Sequence, residues 1–481
     1  MTPYAIAVAA LILAAPTARA SSWHSEGGVQ SRVVLTDNLF LTAGSRETGE
    51  IVQVRPFVSS SRKGNRVTAR FNYGPSALWY PGRSDLNRVM HTLNAGVQME
   101  LIERYFVLEV GANANQALIN PRVNSGFNAL GNPNAFAQRA TVTVRPRINL
   151  PVLGGRFATV RITPGLGYSY TAASADGRNG LRTPTTNSSV RVVSGSIFTT
   201  VPWSMTWRRR MFDTRTGEGV GEFLTRVGYV FNPKYRVDVS LGYDDGSSAY
   251  RGTNGKTRGA RWETALQWTP HSRARFTAGV GERYFGSTYR FEGFYRHKHW
   301  AFRSSYRVSI ENAATALQQQ QVVPMQDVFG KTIRNPFTRG EVLTTSVTTP
   351  ALTNDTFLRK LLTLESSFSK GRNAASLRWF VTRRDYDKSD VQTLDNQLQF
   401  RYSRSLSARL RASAVVNVWD HSESSDSRYD YVQDALDLVV HYEVGRRTSL
   451  GARVGRLNRD AKSASGDFSE NRASLDFTLR F

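Results

Sequence analysis

From Ala473 to Phe481 the residue type flips at every step. Ala473, Leu475, Phe477, Leu479 and Phe481 fall on one side of an extended chain, and Ser474, Asp476, Thr478 and Arg480 fall on the other. A period of two marks a strand with one apolar and one polar face. The rhythm recurs upstream. Phe276, Ala278 and Val280 oppose Arg275, Thr277 and Gly279, while Leu377, Trp379 and Val381 oppose Ser376, Arg378 and Thr382. Leu398, Phe400 and Tyr402 oppose Gln397, Gln399 and Arg401, and Leu436, Leu438, Val440 and Tyr442 oppose Asp437, His441 and Glu443. Ala408, Leu410, Ala412, Ala414 and Val416 oppose Ser407, Arg409, Arg411 and Ser413. One such strand is common in a β-sandwich; a long series of them is not.

The connections between these strands come in two lengths. Short turns are predicted at Ile102-Glu103, Pro151 to Gly155, Asn232-Pro233-Lys234, Pro270 to Ser272, His297-Lys298, Lys370 to Arg372, Ser403 to Ser405 and Gly445 to Arg447. Long polar connections are predicted over 116–137, 171–188, 243–256, 311–354, 421–429 and 460–466. Short and long mostly alternate, as in an up-and-down barrel. The chain is therefore predicted to be all-β, a single large antiparallel transmembrane β-barrel of about 22 strands (range roughly 20–24), each long enough to cross a bilayer when tilted. The segment 190–212 divides into two strands near Thr199 to Pro202, because Pro202 cannot donate in a ladder. Trp79, Tyr80, Trp203, Trp207, Trp268, Trp300 and Trp419 cluster near predicted strand ends, where an aromatic girdle would sit.

Composition agrees with this architecture. Only 40% of the 481 residues are hydrophobic although 11% are aromatic, and the mean hydropathy is −0.39. Strands apolar on one face alone produce that combination. Residues 1–20 read as a cleaved signal, with a short apolar run from Ile6 to Ala15 and small residues at Ala18 and Ala20. Residues 21–481 are then the barrel. There are no cysteines, which excludes disulfides and thiol chemistry.

The net charge of +25 changes the picture most. A nucleic-acid binder gathers Lys and Arg on one element; here Arg is spread along the whole chain and alternates with apolar residues. On the polar strand faces, Arg275, Arg283, Arg378, Arg384, Arg401, Arg409, Arg411, Arg453 and Arg480 are predicted to line the lumen with Asp395, Asp437, Glu443 and Asp476. Guanidinium groups bind carboxylate and phosphate bidentately, so an Arg-rich bore favours anions. The competing expectation is that each Arg pairs with an acid and fills space. Loop 311–354, with Arg334 and Arg339, is expected either to fold inward as a constriction or to stand outside.

Several segments resemble the outer-membrane β-barrel family associated with PEP-CTERM/exosortase exopolysaccharide loci. They are Val34-Leu35-Thr36-Asp37-Asn38-Leu39-Phe40-Leu41; Ala77-Leu78-Trp79-Tyr80 followed by Asn87 and His91 to Ala95; and Thr353 to Lys360 running into Ser376 to Phe380 and Arg383 to Tyr386. The resemblance implies a barrel in the outer membrane of a Gram-negative bacterium that serves synthesis or export of an extracellular polysaccharide. It supplies no catalytic residues. Anionic polysaccharide and periplasmic export proteins are the implied partners beside outer-membrane lipid. Similarity to outer-membrane barrels in general implies that Phe477, Leu479 and Phe481 form the signal read by the barrel-assembly machinery. An anion-preferring porin is the first alternative and an outer-membrane hydrolase the second.

Catalytic and metal chemistry find little support. His297-Lys298-His299 spaces two His across a tight turn with no acidic ligand beside them. His441, Asp437 and Ser413 can share a lumen face, but nothing places them within hydrogen-bond reach. Gly165-Leu166-Gly167 reads as strand glycine, since no helix follows it to cradle a phosphate. No catalytic residue, metal or cofactor is expected.

Overall fold

The computed structural model describes residues 23–118, 125, 135–172, 181–246, 249–252, 255–312, 323–324, 343–344 and 355–481. The signal segment 1–20 and nearly all of the connection 311–354, with Arg334 and Arg339, lie outside the described residues.

Strands β1 (His24–Thr36), β2 (Gly49–Lys63), β3 (Val67–Trp79), β4 (Arg88–Ile102), β5 (Phe106–Leu118) and β6 (Phe136–Val152) open a closed antiparallel barrel of 22 strands. The next, β7, is broken into Ala158–Thr163 and Leu166–Thr171. Then come β8 (Leu181–Ser194), β9 (Trp203–Asp213), β10 (Glu218–Asn232), β11 (Tyr235–Asp245), β12 (Arg258–His271), β13 (Ala274–Arg283), β14 (Gly286–His297) and β15 (Trp300–Asn312). The last seven are β16 (Thr356–Lys370), β17 (Asn373–Tyr386), β18 (Gln392–Ser405), β19 (Leu410–Glu423), β20 (Tyr431–Glu443), β21 (Thr448–Ala461) and β22 (Phe468–Arg480). Each pairs with the next, and β22 pairs with β1 from Gly28↔Arg480 to Thr36↔Arg472. Closure joins the first strand to the last, so neither end of the sheet is left as a free edge in the bilayer.

Local chemistry explains the turns. In 233–234 the Asn232 Oδ1 accepts from the Lys234 and Tyr235 amides at 2.8 and 3.0 Å, closing an Asx turn. The break in β7 falls at Pro164, which has no amide to give the ladder.

Three expectations about the connections are corrected. Residues 181–188 belong to β8 rather than to a connection over 171–188. Their Thr, Asn and Ser content resembles a loop, but Thr183 and Thr185 are buried toward an aqueous lumen, where polar residues fit. The short-long alternation also fails three times: the connections 214–217 and 284–285 at the long-loop end are tight, and the connection 195–202 at the short-turn end is long. Finally, Ala408 and Arg409 lie in the turn 406–409 between β18 and β19, not on a strand face.

Burial runs opposite to that of a water-soluble protein. On β22 Leu475 is 68% exposed, whereas Asp476 is 3% and Thr478 is 1% exposed. Leu241, Phe231, Val280, Leu436, Leu438 and Val440 are likewise exposed on the outside. A continuous apolar exterior around a closed barrel is stable only in lipid. The protein is an outer-membrane β-barrel. Trp79, Trp207, Trp268 and Trp300 stand on this exterior. Trp419 does not: it shares the lumen face of β19 with His421 and is buried there. Tyr80 is also buried, in an apolar cluster with Val34, Leu39, Ile51, Leu78 and Leu86. The girdle expectation fails for both: Trp419 lies within β19 at a lumen position of its alternation, and Tyr80, one residue past the end of β3, turns into the buried cluster.

The long-loop end is folded over the lumen. Leu41, from the β1–β2 connection, is fully buried against Ala435, Leu457 and Phe468 of β20 to β22. Across the mouth, Ile310 and Leu358 pack with Phe212, Tyr250, Tyr284 and Phe285.

Candidate functional site

Alternation on β8 to β15 turns one residue in two into the lumen, and strand register stacks those residues in rows. Arg208 lies opposite Glu222, and Glu222 opposite Asp244. Arg261 lies opposite Arg283 by the register that pairs Trp262 with Glu282. The side chains form a ladder. Arg208 reaches Glu222 at 2.8 Å, Arg261 reaches Glu222 at 3.1 Å and Asp244 at 3.2 Å, and Arg283 Nε donates to Asp244 Oδ2 at 2.6 Å. Glu263 takes Arg290 at 3.0 Å and Arg226 at 4.0 Å. Five guanidinium groups (Arg208, Arg226, Arg261, Arg283, Arg290) thus share three carboxylates (Glu222, Asp244, Glu263).

This ladder borders a cavity of about 330 Å³. Arg191 and Arg307 also line it, and neither meets a carboxylate of the described residues within ion-pair distance. Ser204, Thr206 and Thr288 add hydroxyls. A second cavity of about 220 Å³ carries Arg208, Arg210, Arg283 and Arg307 against Glu222, Asp244, Asp245 and Glu311. The excess of cation makes the first cavity electropositive, and the ion pairs hold Arg208, Arg226, Arg261, Arg283 and Arg290 in place around it.

The other half of the lumen is built differently. Asp395 on β18 is almost fully buried and receives Arg384, the Trp419 Nε1–H at 2.9 Å and His421 Nδ1 at 2.7 Å. The His421 ring stacks on Tyr431 at 5.1 Å, and the Arg459 guanidinium lies 3.9 Å from the Tyr431 ring centroid. Arg459 Nε also donates to Gln433 Oε1 at 2.8 Å. Arg32 pairs with Asp476, and Arg472 reaches Asp437 at 3.1 Å. These groups form a buried polar knot on the lumen side of β17 to β22 and β1, in which His421 Nε2, Tyr431 OH and Gln433 Nε2 find no hydrogen-bond partner among the described residues.

The predicted residues therefore divide. Arg283, Arg378, Arg384, Arg401, Arg453 and Arg480 stand on lumen positions. Arg283 joins the ladder, Arg384 the knot, Arg378 pairs with Glu365 at 3.6 Å and Arg480 with Glu26 at 2.9 Å. Arg275 and Arg411 have lumen register but are exposed at the short-turn end, and Arg409 is in its turn. Arg191, Arg208, Arg226, Arg261, Arg290 and Arg307 were not singled out in the sequence. Their signal was present as the same Arg-polar alternation, but nothing local told which arginines would share a cavity. The trio His441, Asp437 and Ser413 is not assembled. Asp437 and His441 are four residues apart on one strand, about 13 Å of extended chain, and the Asp437 carboxylate is held by Arg472.

Fold, exterior and lumen together define a 22-stranded outer-membrane β-barrel with a basic chamber in its wall. No family model matches the chain, and no curated protein matches it. Among solved structures it is similar to the siderophore receptor PirA from Acinetobacter baumannii, with 9% identity over 94% of this chain and 80% of that one and a TM-score of 0.49. It is also similar to the FrpB iron transporter from Neisseria meningitidis (F5-1 variant), with 10% identity, 95% and 82% coverage and a TM-score of 0.46. A loop L8 deletion mutant of OmpT, an outer membrane protein of Vibrio cholerae, has 8% identity, 96% and 100% coverage and a TM-score of 0.37. At these levels the likeness is one of fold alone.

Proposed function

We propose that the barrel holds or passes an acidic polysaccharide in its arginine-lined lumen and serves synthesis or export of that polymer at the outer membrane. The observation that carries this reading is the chamber between β8 and β15, where five arginines share three carboxylates and Arg191 and Arg307 add charge that no described acid offsets. A fixed array of guanidinium groups matches repeated carboxylates or phosphates along a polymer. The sequence resemblance to barrels of exopolysaccharide loci supports the choice of polymer over small anion. Periplasmic export proteins are the partners this role requires, and no cofactor or catalytic group takes part.

Two measurements test it. A strain lacking the gene should lose or reduce its secreted acidic polysaccharide, and the purified barrel in planar bilayers should prefer anions. Unchanged polysaccharide with impaired uptake of small anions would favour a porin instead. Cation preference would remove the physical basis of both.

A further inference from the structure

The wall of the barrel parts between β14 and β15. Their pairing runs from His297↔Trp300 only as far as Phe291↔Tyr306. Beyond that point Gly286 to Arg290 pair with β13 alone, and Arg307 to Asn312 pair with β16 alone. Neighbouring seams stay closed: β13 and β14 pair from Ala274↔Tyr295 to Arg283↔Gly286. The parting lies over the basic chamber, whose lining takes Thr288, Tyr289 and Arg290 from one lip and Arg307 and Val308 from the other. Tyr289 faces outward, opposite Val280, and is 58% exposed. One residue thus borders the basic cavity and the lipid-facing surface together. Above the chamber the gap is roofed by apolar groups, Tyr250, Tyr284, Phe285 and Ile310, with Val308 packed against them.

We infer that this seam admits an anionic amphiphile sideways from the bilayer, with its phosphate or carboxylate head at Arg191 and Arg307 and its alkyl tail lying out between β14 and β15 past Tyr289 and Val308. The inference rests on reading the chamber as an anion site, and adds a lipid-like ligand and a lateral route. Guanidinium groups inside and hydrocarbon outside suit the two ends of such a molecule, and a wall without ladder bonds at that height offers the passage. A tail in the gap would also occupy the place of the missing strand contact.

The test uses the mature barrel in a neutral maltoside detergent, titrated with dodecyl phosphate, inorganic phosphate or dodecanol and read by native mass spectrometry. One dodecyl phosphate should be retained, at least about tenfold more tightly than either fragment, since head and tail contribute separately. Arg191→Gln with Arg307→Gln should weaken retention by about tenfold or more, the expected loss for charge-assisted hydrogen bonds. Val308→Trp, which fills the gap from the β15 lip, should lower the ratio of dodecyl phosphate binding to inorganic phosphate binding. Equal binding of inorganic and dodecyl phosphate would overturn the lateral route while leaving the anion chamber intact. Retention unaffected by all these substitutions, or no retention, would overturn the inference. Anion preference in planar bilayers, measured on the same protein, reports separately on the chamber.

Discussion

Lys388 Nζ lies 2.6 Å from Glu218 Oε1, joining the β17–β18 connection to the start of β10 across the barrel mouth. The backbone amide of Arg251 bonds to Asp387 Oδ1 at 2.6 Å beside it. These contacts hold the long-loop end folded over the apolar cluster of Phe212, Tyr250 and Ile310.

The clasp should matter for access more than for stability. Lys388 is largely exposed, and such pairs contribute little, about 0–1 kcal/mol. Lys388→Ala should therefore leave thermal unfolding nearly unchanged but raise single-channel conductance or dye entry. The hydrogen bond to Glu218 pushes the Lys388 pKa up from 10.5. A raised lysine pKa gives a contribution fully present below the unfolded value and lost as pH rises through the folded one. Strong alkali should thus open the wild-type mouth and do nothing further to the variant. A variant as closed as wild type at neutral pH would show that the clasp holds nothing.

Asp395 should be costly to remove. Asp395→Ala leaves Arg384 and His421 buried without their shared carboxylate, and breaking a buried pair costs about 3–5 kcal/mol. The loss should appear as a lower temperature for the heat-dependent gel shift of the folded barrel. A shift no larger than that for a surface Asp426→Ala control would mean the knot is dispensable.

Gln138 acts as a splice in the wall. Its side-chain oxygen accepts from the His91 amide at 2.9 Å and its nitrogen donates to the His91 carbonyl at 2.9 Å. Both bonds replace ladder bonds that β5 does not make there, since β4 and β5 pair only up to Leu93↔Ala114. Gln138→Leu strands the His91 amide, a loss of about 1–3 kcal/mol when buried, while the His91 carbonyl keeps Gln116 Nε2 at 3.2 Å. Faster amide exchange should be confined to the long-loop end of β4 and β5. Exchange spread evenly over the barrel would contradict this local role.

The two faces of β20 should respond differently to one substitution. Leu438→Arg places a charge in lipid, which costs about 2–4 kcal/mol near the bilayer midplane, and Asp437 beside it already faces the lumen. Ser413→Arg, on the lumen face of β19, should be tolerated. The yield of heat-resistant folded barrel in membranes measures both, and equal losses would mean the faces are misassigned.

Strand chemistry was legible because it is local. Leu475, Phe477 and Leu479 against Asp476, Thr478 and Arg480 alternate within nine residues, and the bilayer imposes that alternation on every strand. It could not show that Thr183 and Thr185 belong to a strand, because polar residues facing water look the same in a loop and in a lumen. Nor could it distinguish Trp419, which is inside, from Trp300, which is outside.

Alternation alone determined the class, the approximate strand number and the basic character of the bore, since each follows from residue type and a period of two. The tertiary structure decided which arginines are matched, where the wall parts and which loops turn inward. Arg261 meets Glu222 across 39 residues and Lys388 meets Glu218 across 170. Such meetings depend on register around a closed ring, a property that no stretch of chain carries by itself.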